Sequence, residues 1–284
     1  MWNRIAYCAA ALQLAAACSN AADSGGASVE SAEVAVQESA LTAQLDALIA
    51  DAAERNSRFD IGQSLETAAA QLELQLNQEL PCAAVTRQGN LLNILYAAKQ
   101  VPGDDAADSG CFWRGRPLAG QHTVRVMRNA DNEVGVHHEF TDFRDSTLSM
   151  SGSADVAWSR ISKSRRVLHA VTFAALSGAS AGVTGESTGD STQVTLTDGV
   201  RINGLREWQS SRGAYELDMQ AIEQRFTESV PYLGAYELTL PSDYALILAF
   251  GRIDTDNILV TVQGAQRELS FVVRPDGSVE NSAH

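Results

Sequence analysis

The stretch with the most chemical potential is GVHHEFTDFRD, residues 135–145. Neighbouring side chains on a β-strand point to opposite faces, so His137 and Glu139 would share the polar face and His138 would join the apolar one. A zinc site needs at least three converging ligands, and Asp142 would need a turn to join the first two. The helical H-E-x-x-H spacing is also absent. We therefore expect no metal site and an ordinary strand.

Other candidate sites are weaker. RIDTDNI at 252–258 has the acidic spacing of part of a calcium loop but lacks its glycine and distant glutamate, and a hairpin turn explains it as well. The sequence has no G-x-S-x-G elbow and no glycine loop opening a helix. His169 alternates with valines, which is typical of a core histidine. We expect no catalytic residue and no cofactor.

Three tryptophans remain as possible ligand contacts: Trp113, Trp158 and Trp208. If they are exposed on a sheet face, they could stack on a sugar or on a protein partner. If they are buried, they belong to the core, which is the commoner position of a tryptophan in a strand.

Composition limits the partners. The chain has 284 residues, of which 45% are hydrophobic and 20% charged, and a formal charge of −14. This suits a globular protein with one large or two small domains. Nucleic-acid binding depends on clustered Lys and Arg, so we expect no nucleic-acid partner. The same acidity opposes adhesion of the folded part to anionic lipid.

Residues 1–17 have the parts of a secretory signal, with an apolar core far shorter than the roughly 20 residues that span a bilayer. The following junction, Leu14 to Cys18, resembles the lipobox of bacterial lipoproteins, although Ala15 stands where leucine is favoured. The resemblance implies that Cys18 is the lipidated first residue of the mature chain. With Ser19 next, it also implies anchoring in the outer membrane. The alternative is an ordinary signal, cut after Ala-x-Ala, that releases a free secreted protein.

The cysteines divide accordingly. Cys8 leaves with the signal and Cys18 carries the lipid, so Cys82 and Cys111 remain in an oxidising compartment. We predict a disulfide between them, closing a loop of about 30 residues and stabilising the fold by roughly 3–4 kcal/mol. The segment that begins at Cys111, CFWRGRPLAG, is similar to segments of other uncharacterised bacterial lipoproteins, which implies no activity.

The rest of the chain changes character twice. Residues 18–40, rich in Ala, Ser, Gly and Glu, predict a disordered tether. Residues 41–80 predict a helical pair. One apolar stripe contains Leu41, Leu45, Leu48 and Ala52, and the other contains Leu65, Ala69, Leu72 and Leu76. Residues 81–276 alternate with period two and predict an antiparallel β domain of about twelve strands.

The predicted fold is therefore mainly β, with the helical pair preceding an antiparallel β-sandwich or an open curved barrel, because large sheets rarely stay flat. GAYELDM at 213–219 returns as GAYELTL at 234–240, either as a relic of duplication or by convergence.

Three functions are compatible with these features. The first is a non-catalytic envelope lipoprotein that is membrane-bound through its lipid anchor and binds an envelope protein or glycan. The second is a carrier of an apolar ligand such as lipid, held in a curved sheet with the helices as a lid. The third is a hydrolase whose residues lie far apart in the sequence. We expect the first, and no enzyme.

Overall fold

The protein is described by a computed structural model that covers part of the chain: residues 27–55, 63–96, 111–113, 116–128, 134–159, 162–178, 180–225, 228, 230–265, 268–275 and 279–283. The predicted signal at 1–17 and the predicted lipidation site, Cys18, lie outside the described residues.

In the residues that the structure describes, two helices precede fifteen strands. The helices are α1 (Val29–Arg55) and α2 (Leu65–Glu79). The strands are β1 (Ala84–Gln88), β2 (Leu91–Tyr96), β3 (Cys111–Trp113), β4 (Arg116–Arg128), β5 (Val134–Arg144), β6 (Leu148–Ser159), β7 (Ser164–Ala175), β8 (Thr184–Thr195), β9 (Gly199–Ser210), β10 (Gly213–Arg225), β11 (Leu233–Thr239), β12 (Ala245–Arg252), β13 (Ile258–Gln263), β14 (Leu269–Val273) and β15 (Val279–Ala283).

The prediction of a mainly β, antiparallel protein is confirmed. The strands belong to one large sheet in which neighbours follow sequence order, except that β2 pairs with β4 and the short β3 pairs with β4 outside this path. The sheet is open, since β1 and β15, the first and last strands of the described part, do not pair. The described residues form fifteen strands where we expected about twelve, mainly because several short strands lack a full alternating pattern.

Two compact units divide the chain. One consists of residues 48–186 and contains α2 and β1 to β7; we call it the β1–β7 unit. The other consists of residues 1–47 and 187–284 and contains β9 to β15; we call it the β9–β15 unit. Helix α1 and strand β8 each contain a boundary. The segment predicted as one β domain is therefore divided between two units.

Helix α1 begins earlier than the sequence predicted. We expected a tether over 18–40, but the helix begins at Val29, and the Ser28 hydroxyl accepts a hydrogen bond of 3.1 Å from the Ser31 amide at its start. Just before it, the Ala27 amide donates to the Gly264 carbonyl at 3.2 Å. Local composition misled the prediction, because this part of the helix is fixed by contacts with strands far away in sequence.

Helix α2 matches its prediction closely. Ser64 caps its start by accepting a hydrogen bond from the Thr67 amide at 3.1 Å, and the helix ends just before Pro81. Its buried face packs against β1, β2 and β4 and consists of Ala68, Ala69, Leu72 and Leu76. The predicted stripe is therefore buried from Ala69 onward, as amphipathic spacing requires.

The repeated sequence forms neighbouring strands. β10 and β11 pair antiparallel, with Leu217 opposite Leu238 and Met219 opposite Tyr236. On β10 the alternate residues Tyr215, Leu217 and Met219 are buried. The residues that the two segments share therefore place apolar side chains of adjacent strands on one face of the sheet.

Candidate functional site

The predicted disulfide is present. Cys82 and Cys111 are joined, with their Cα atoms 5.2 Å apart. The bond links the turn after α2 to β3, and β3 pairs with β4. It therefore fastens a three-residue strand that a single ladder would hold weakly.

The tryptophans are not equivalent. Trp208 is only 3% exposed, so it does not offer a stacking surface, and its placement corrects that part of the hypothesis. Its ring lies parallel to that of Tyr215 at 5.1 Å, and its Nε1 donates a hydrogen bond of 3.2 Å to Glu38 Oε2. Trp113 and Trp158 are half-buried. Trp208 is covered by α1, and its partner Glu38 lies in the part of that helix that the sequence assigned to a tether.

Buried polar contacts join α1 to β9; we call Glu38, Thr42, Asp46, Arg206 and Trp208 the α1–β9 seam. The Arg206 guanidinium donates to the Asp46 carboxylate and, at 3.2 Å, to the Thr42 hydroxyl. Burial lowers the pKa of Arg206 to about 10, so it is still a cation at neutral pH. A buried cation is costly unless it is paired, and Asp46 supplies the pairing charge.

The seam continues at the end of β9. Arg212 Nη1 lies 3.5 Å from Glu38 Oε1 and donates to Gln37 Oε1 at 3.3 Å. Burial, then the nearby Glu38 carboxylate, raises the pKa of Tyr215. These groups serve to hold the helix on the sheet, and their polar atoms are directed at one another.

A second polar cluster lies within the β9–β15 unit. Glu223 on β10 accepts hydrogen bonds from Arg201 Nε and from the Tyr232 hydroxyl, each at 2.8 Å. These bonds hold the pKa of Glu223 below its ordinary value. Burial and the bond to the Glu223 carboxylate raise the pKa of Tyr232.

Two further arginines enclose the same tyrosine. The guanidinium carbons of Arg225 and Arg252 lie 5.4 and 5.2 Å from the centre of the Tyr232 ring. Both arginines also pair with the buried carboxylate of Glu228, and Arg225 pairs with Asp198 at 3.1 Å. The contacts of this cluster hold the loop before β11 in place. Because its positive and negative charges balance, little net charge is left for a ligand.

The exposed side of β9 to β12 is different. Across these strands Leu205 lies opposite Asp218, which lies opposite Glu237, which lies opposite Ile247. In the next row Glu207 lies opposite Glu216. We call this surface the acidic face; it consists of Leu205, Glu207, Glu216, Asp218, Glu237 and Ile247.

The carboxylates of the acidic face are largely without counter-charges. Glu207, Glu216 and Glu237 are exposed and have no ion-pair partner in the described part of the chain. Like charges directly opposite one another destabilise a sheet. Sequence reasoning missed this surface because it depends on the register of four strands.

The histidines of β5 separate as predicted. His138 is buried, whereas His137 lies on the opposite, accessible face, with Nδ1 2.8 Å from Asp155 Oδ1 and Nε2 3.5 Å from Glu139 Oε1. Within the described residues no group of three or more His, Cys, Asp or Glu side chains could hold a metal ion. Among the described helices, none is both long enough and apolar enough to cross a membrane.

The interior of the β1–β7 unit contains polar groups that the sequence did not associate. His122 and His138 form a hydrogen bond of 2.9 Å between Nε2 and Nδ1, and the Tyr96 hydroxyl lies 3.4 Å from His122 Nδ1. His169 on β7 is also buried, as its apolar strand face indicated, and burial lowers its pKa to about 4. The sequence does contain a pattern that indicates burial of both rings, because His122 shares a strand face with Val124 just as His138 shares one with apolar residues.

Comparisons with protein-family models, curated proteins and solved structures find no match for this chain.

Proposed function

We propose that this protein is a non-catalytic cell-envelope lipoprotein, anchored to the outer membrane by lipid on Cys18, that binds a protein partner. The lipobox-like junction supports the anchor, and the acidic face supports the partner. In the β9–β15 unit the two clusters of paired polar groups, the α1–β9 seam and the residues around Tyr232, fasten one element to another. Binding by an exposed face fits this arrangement better than catalysis in a cleft.

The observation that carries the proposal is the composition of the acidic face. Leu205 and Ile247 are 38% and 39% exposed at the two ends of a row whose middle residues are Asp218 and Glu237. Carboxylates directly opposite one another, as Asp218 and Glu237 are, destabilise the free sheet. A partner surface with clustered Lys or Arg would relieve this repulsion, and its apolar residues would pack on Leu205 and Ile247.

The charge favours a protein over a glycan. Neutral sugars are typically held by exposed aromatic rings, and Trp208, the tryptophan nearest to this part of the sheet in sequence, is buried. Complementary charge would also speed the encounter and make it sensitive to salt. The partner that we propose therefore presents a basic protein surface.

Site-specific photo-crosslinking tests the proposal. A photo-reactive amino acid replaces Ile247 in the full lipidated chain, in cells of the source organism, and Leu176, exposed in the other unit, carries it in a matched control. We expect one defined protein adduct from position 247. The captured protein is then purified, and its affinity for wild-type protein should fall as ionic strength rises, because screening sets in over about 10 Å at 0.1 M salt.

Charge reversal completes the test. The double variant Glu216→Lys/Glu237→Lys should weaken binding by about tenfold or more, whereas Glu186→Lys, an exposed acid elsewhere, should not. Equal adducts from both positions, or binding indifferent to the double reversal, would refute the acidic face as the interface. Retention on a glycan array without any protein adduct would show that the partner is a glycan and not a protein.

A carrier of an apolar ligand is the second candidate, and one observation favours it. The middle of α1, from Glu38 to Asp46, contacts β9 through the polar α1–β9 seam, in which Glu38 Oε1 and Arg206 Nε lack hydrogen bonds. Such a cover is easier to lift than an apolar one. This candidate also needs the sheet to curl into an open barrel or fold into a sandwich, as sheets of this size usually do. Native mass spectrometry should then show a co-purifying lipid, and lipid-free protein would exclude it.

A further inference from the structure

A line of three buried polar side chains crosses the interior of the β1–β7 unit. It consists of Tyr96 on β2, His122 on β4 and His138 on β5, which are 2%, 0% and 1% exposed. The Tyr96 hydroxyl lies 3.4 Å from His122 Nδ1, and His122 Nε2 lies 2.9 Å from His138 Nδ1. The line therefore joins three strands that are neighbours in the sheet.

Aromatic rings surround this line. The His122 ring stacks on Phe140 at 4.7 Å and lies 5.8 Å from Phe143, which in turn lies 5.2 Å from Tyr96. The packed face of α2 contributes only alanine and leucine side chains to this unit. Charge placed on these imidazoles is therefore poorly solvated.

Other titratable and charged groups of this unit lie on β7, on α1 and at the start of β4. His169 on β7 is in register with Ala154, which is in register with His138. Asp51 of α1 is buried and pairs with Arg116 at the start of β4 at 3.3 Å. Of these groups, His169 is the one aligned with His138 in the register of β5, β6 and β7.

Counting protons across the 2.9 Å contact limits what the pair can hold. One ring nitrogen must donate and the other must accept, so the contact contains one hydrogen. With both rings neutral, the hydrogen bonds along this line can be donated either away from Tyr96 or toward it. One added proton can still be held, because His122 as a cation can donate from both nitrogens. With two added protons, two N–H groups would face each other and the hydrogen bond would be lost.

We propose that the contact between His122 and His138 is an acid-sensitive lock on the core of the β1–β7 unit. While it is closed, the pair holds at most one added proton. Uptake of the second proton breaks the contact and loosens the packing on the buried face that β4 and β5 share. Because unfolded histidines titrate near pH 6.5, acidification below that value drives the opening. The lock acts on the fold whatever the protein binds.

Nitrogen-15 NMR of the imidazoles in the wild-type protein tests the lock without any substitution. At about pH 7.5 we expect both rings to be neutral and coupled through the His122–His138 hydrogen bond. On acidification toward about pH 4.5 the coupling should vanish as the second proton is taken up, together with the hydrogen-exchange protection of the Val124 and Val136 amides. Two fully cationic rings in a spectrum that is otherwise native, or protection independent of pH, would overturn the proposal.

A double-mutant cycle gives a second measurement. For His122→Phe and His138→Phe, the coupling in the unfolding equilibrium constant should be about fivefold at neutral pH, the worth of one hydrogen bond, and should approach one in acid. Tyr96→Phe keeps the ring and serves as the milder background if a histidine variant does not fold. Coupling that is equal at both pH values would show that the contact has no lock function.

Discussion

Trp208 Nε1 on β9 donates a hydrogen bond of 3.2 Å to Glu38 Oε2 on α1, across a sequence separation of 170 residues. The carboxylate is fully buried, and its other oxygen lies 3.5 Å from Arg212 Nη1. Polar contacts with a distant strand thus fix the helix on the sheet, and tertiary contacts of this kind supply most of the stability of helices in proteins. The same contacts remove Trp208 from the surface.

The first prediction is that the two members of the Asp46–Arg206 pair contribute unequally to the stability of the protein. Asp46→Leu should destabilise the protein by about 3 kcal/mol, because it leaves the Arg206 cation buried without its charge partner. Arg206→Met should cost only about 1 kcal/mol, because water can reach the Asp46 carboxylate, which is 33% exposed. The double variant Asp46→Leu/Arg206→Met should lie near wild type.

Urea unfolding of the four proteins, monitored by tryptophan fluorescence, measures these differences. Arg87→Met, which breaks the half-exposed Arg87–Glu73 pair in the other unit, is the matched control and should change stability little. A larger loss from Arg206→Met than from Asp46→Leu would contradict the view that the buried cation dominates the energetics of the seam.

Sequence patterns predicted the strands because alternation is local. The faces of His137 and His138 on β5, the stripe of α2 and the Cys82–Cys111 bond all follow from spacing or from cysteine count. Each of these inferences needs only residues on one element, or a pair with no competing partner.

What the sequence could not predict depends on pairing between elements. The part of α1 before residue 41 contains Glu38, which bonds to Trp208 on β9, and the row from Leu205 to Ile247 requires the register of four strands. A one-residue shift in any ladder would move these side chains to the other face. No local pattern contains that information.

Reduction of the Cys82–Cys111 bond should destabilise the β1–β7 unit. The loop it closes spans 29 residues, and the chain-entropy model gives a loss of about 3–4 kcal/mol. The unfolding midpoint should fall in dithiothreitol for the wild type and not for Cys82→Ser/Cys111→Ser, the matched control. An equal response of the two proteins to reductant would show that the bond contributes nothing in solution.

Acid should weaken the fold through His169. Burial lowers its pKa from 6.5 to about 4, so the unfolded chain binds a proton over this interval that the folded chain does not. Its contribution is complete above pH 6.5 and is lost as pH falls toward 4, at about 1.4 kcal/mol per pH unit and about 3 kcal/mol in total.

The slope of unfolding free energy against pH checks this assignment. Between pH 6.5 and 4, His169→Gln should reduce the slope of the unfolding free energy against pH by the contribution of one proton, about 1.4 kcal/mol per pH unit. Phe173→Leu, on the same buried face of β7, should lower stability by a similar amount at every pH. An unchanged slope in His169→Gln would assign the acid sensitivity to other groups.

The proposed anchor gives the last prediction. If Cys18 is lipidated, the mature protein begins at that residue, carries the mass of a diacylglyceryl group and an N-acyl chain, and partitions with membranes. Each buried CH₂ of these chains contributes about 0.8 kcal/mol, which makes the attachment stable. Intact-mass analysis of the membrane fraction measures this directly. Cys18→Ser should abolish the lipid mass and the membrane partitioning, whereas Cys8→Ser, within the cleaved signal, should leave both unchanged. A mature protein with an unmodified amino end would instead establish the ordinary secretory signal.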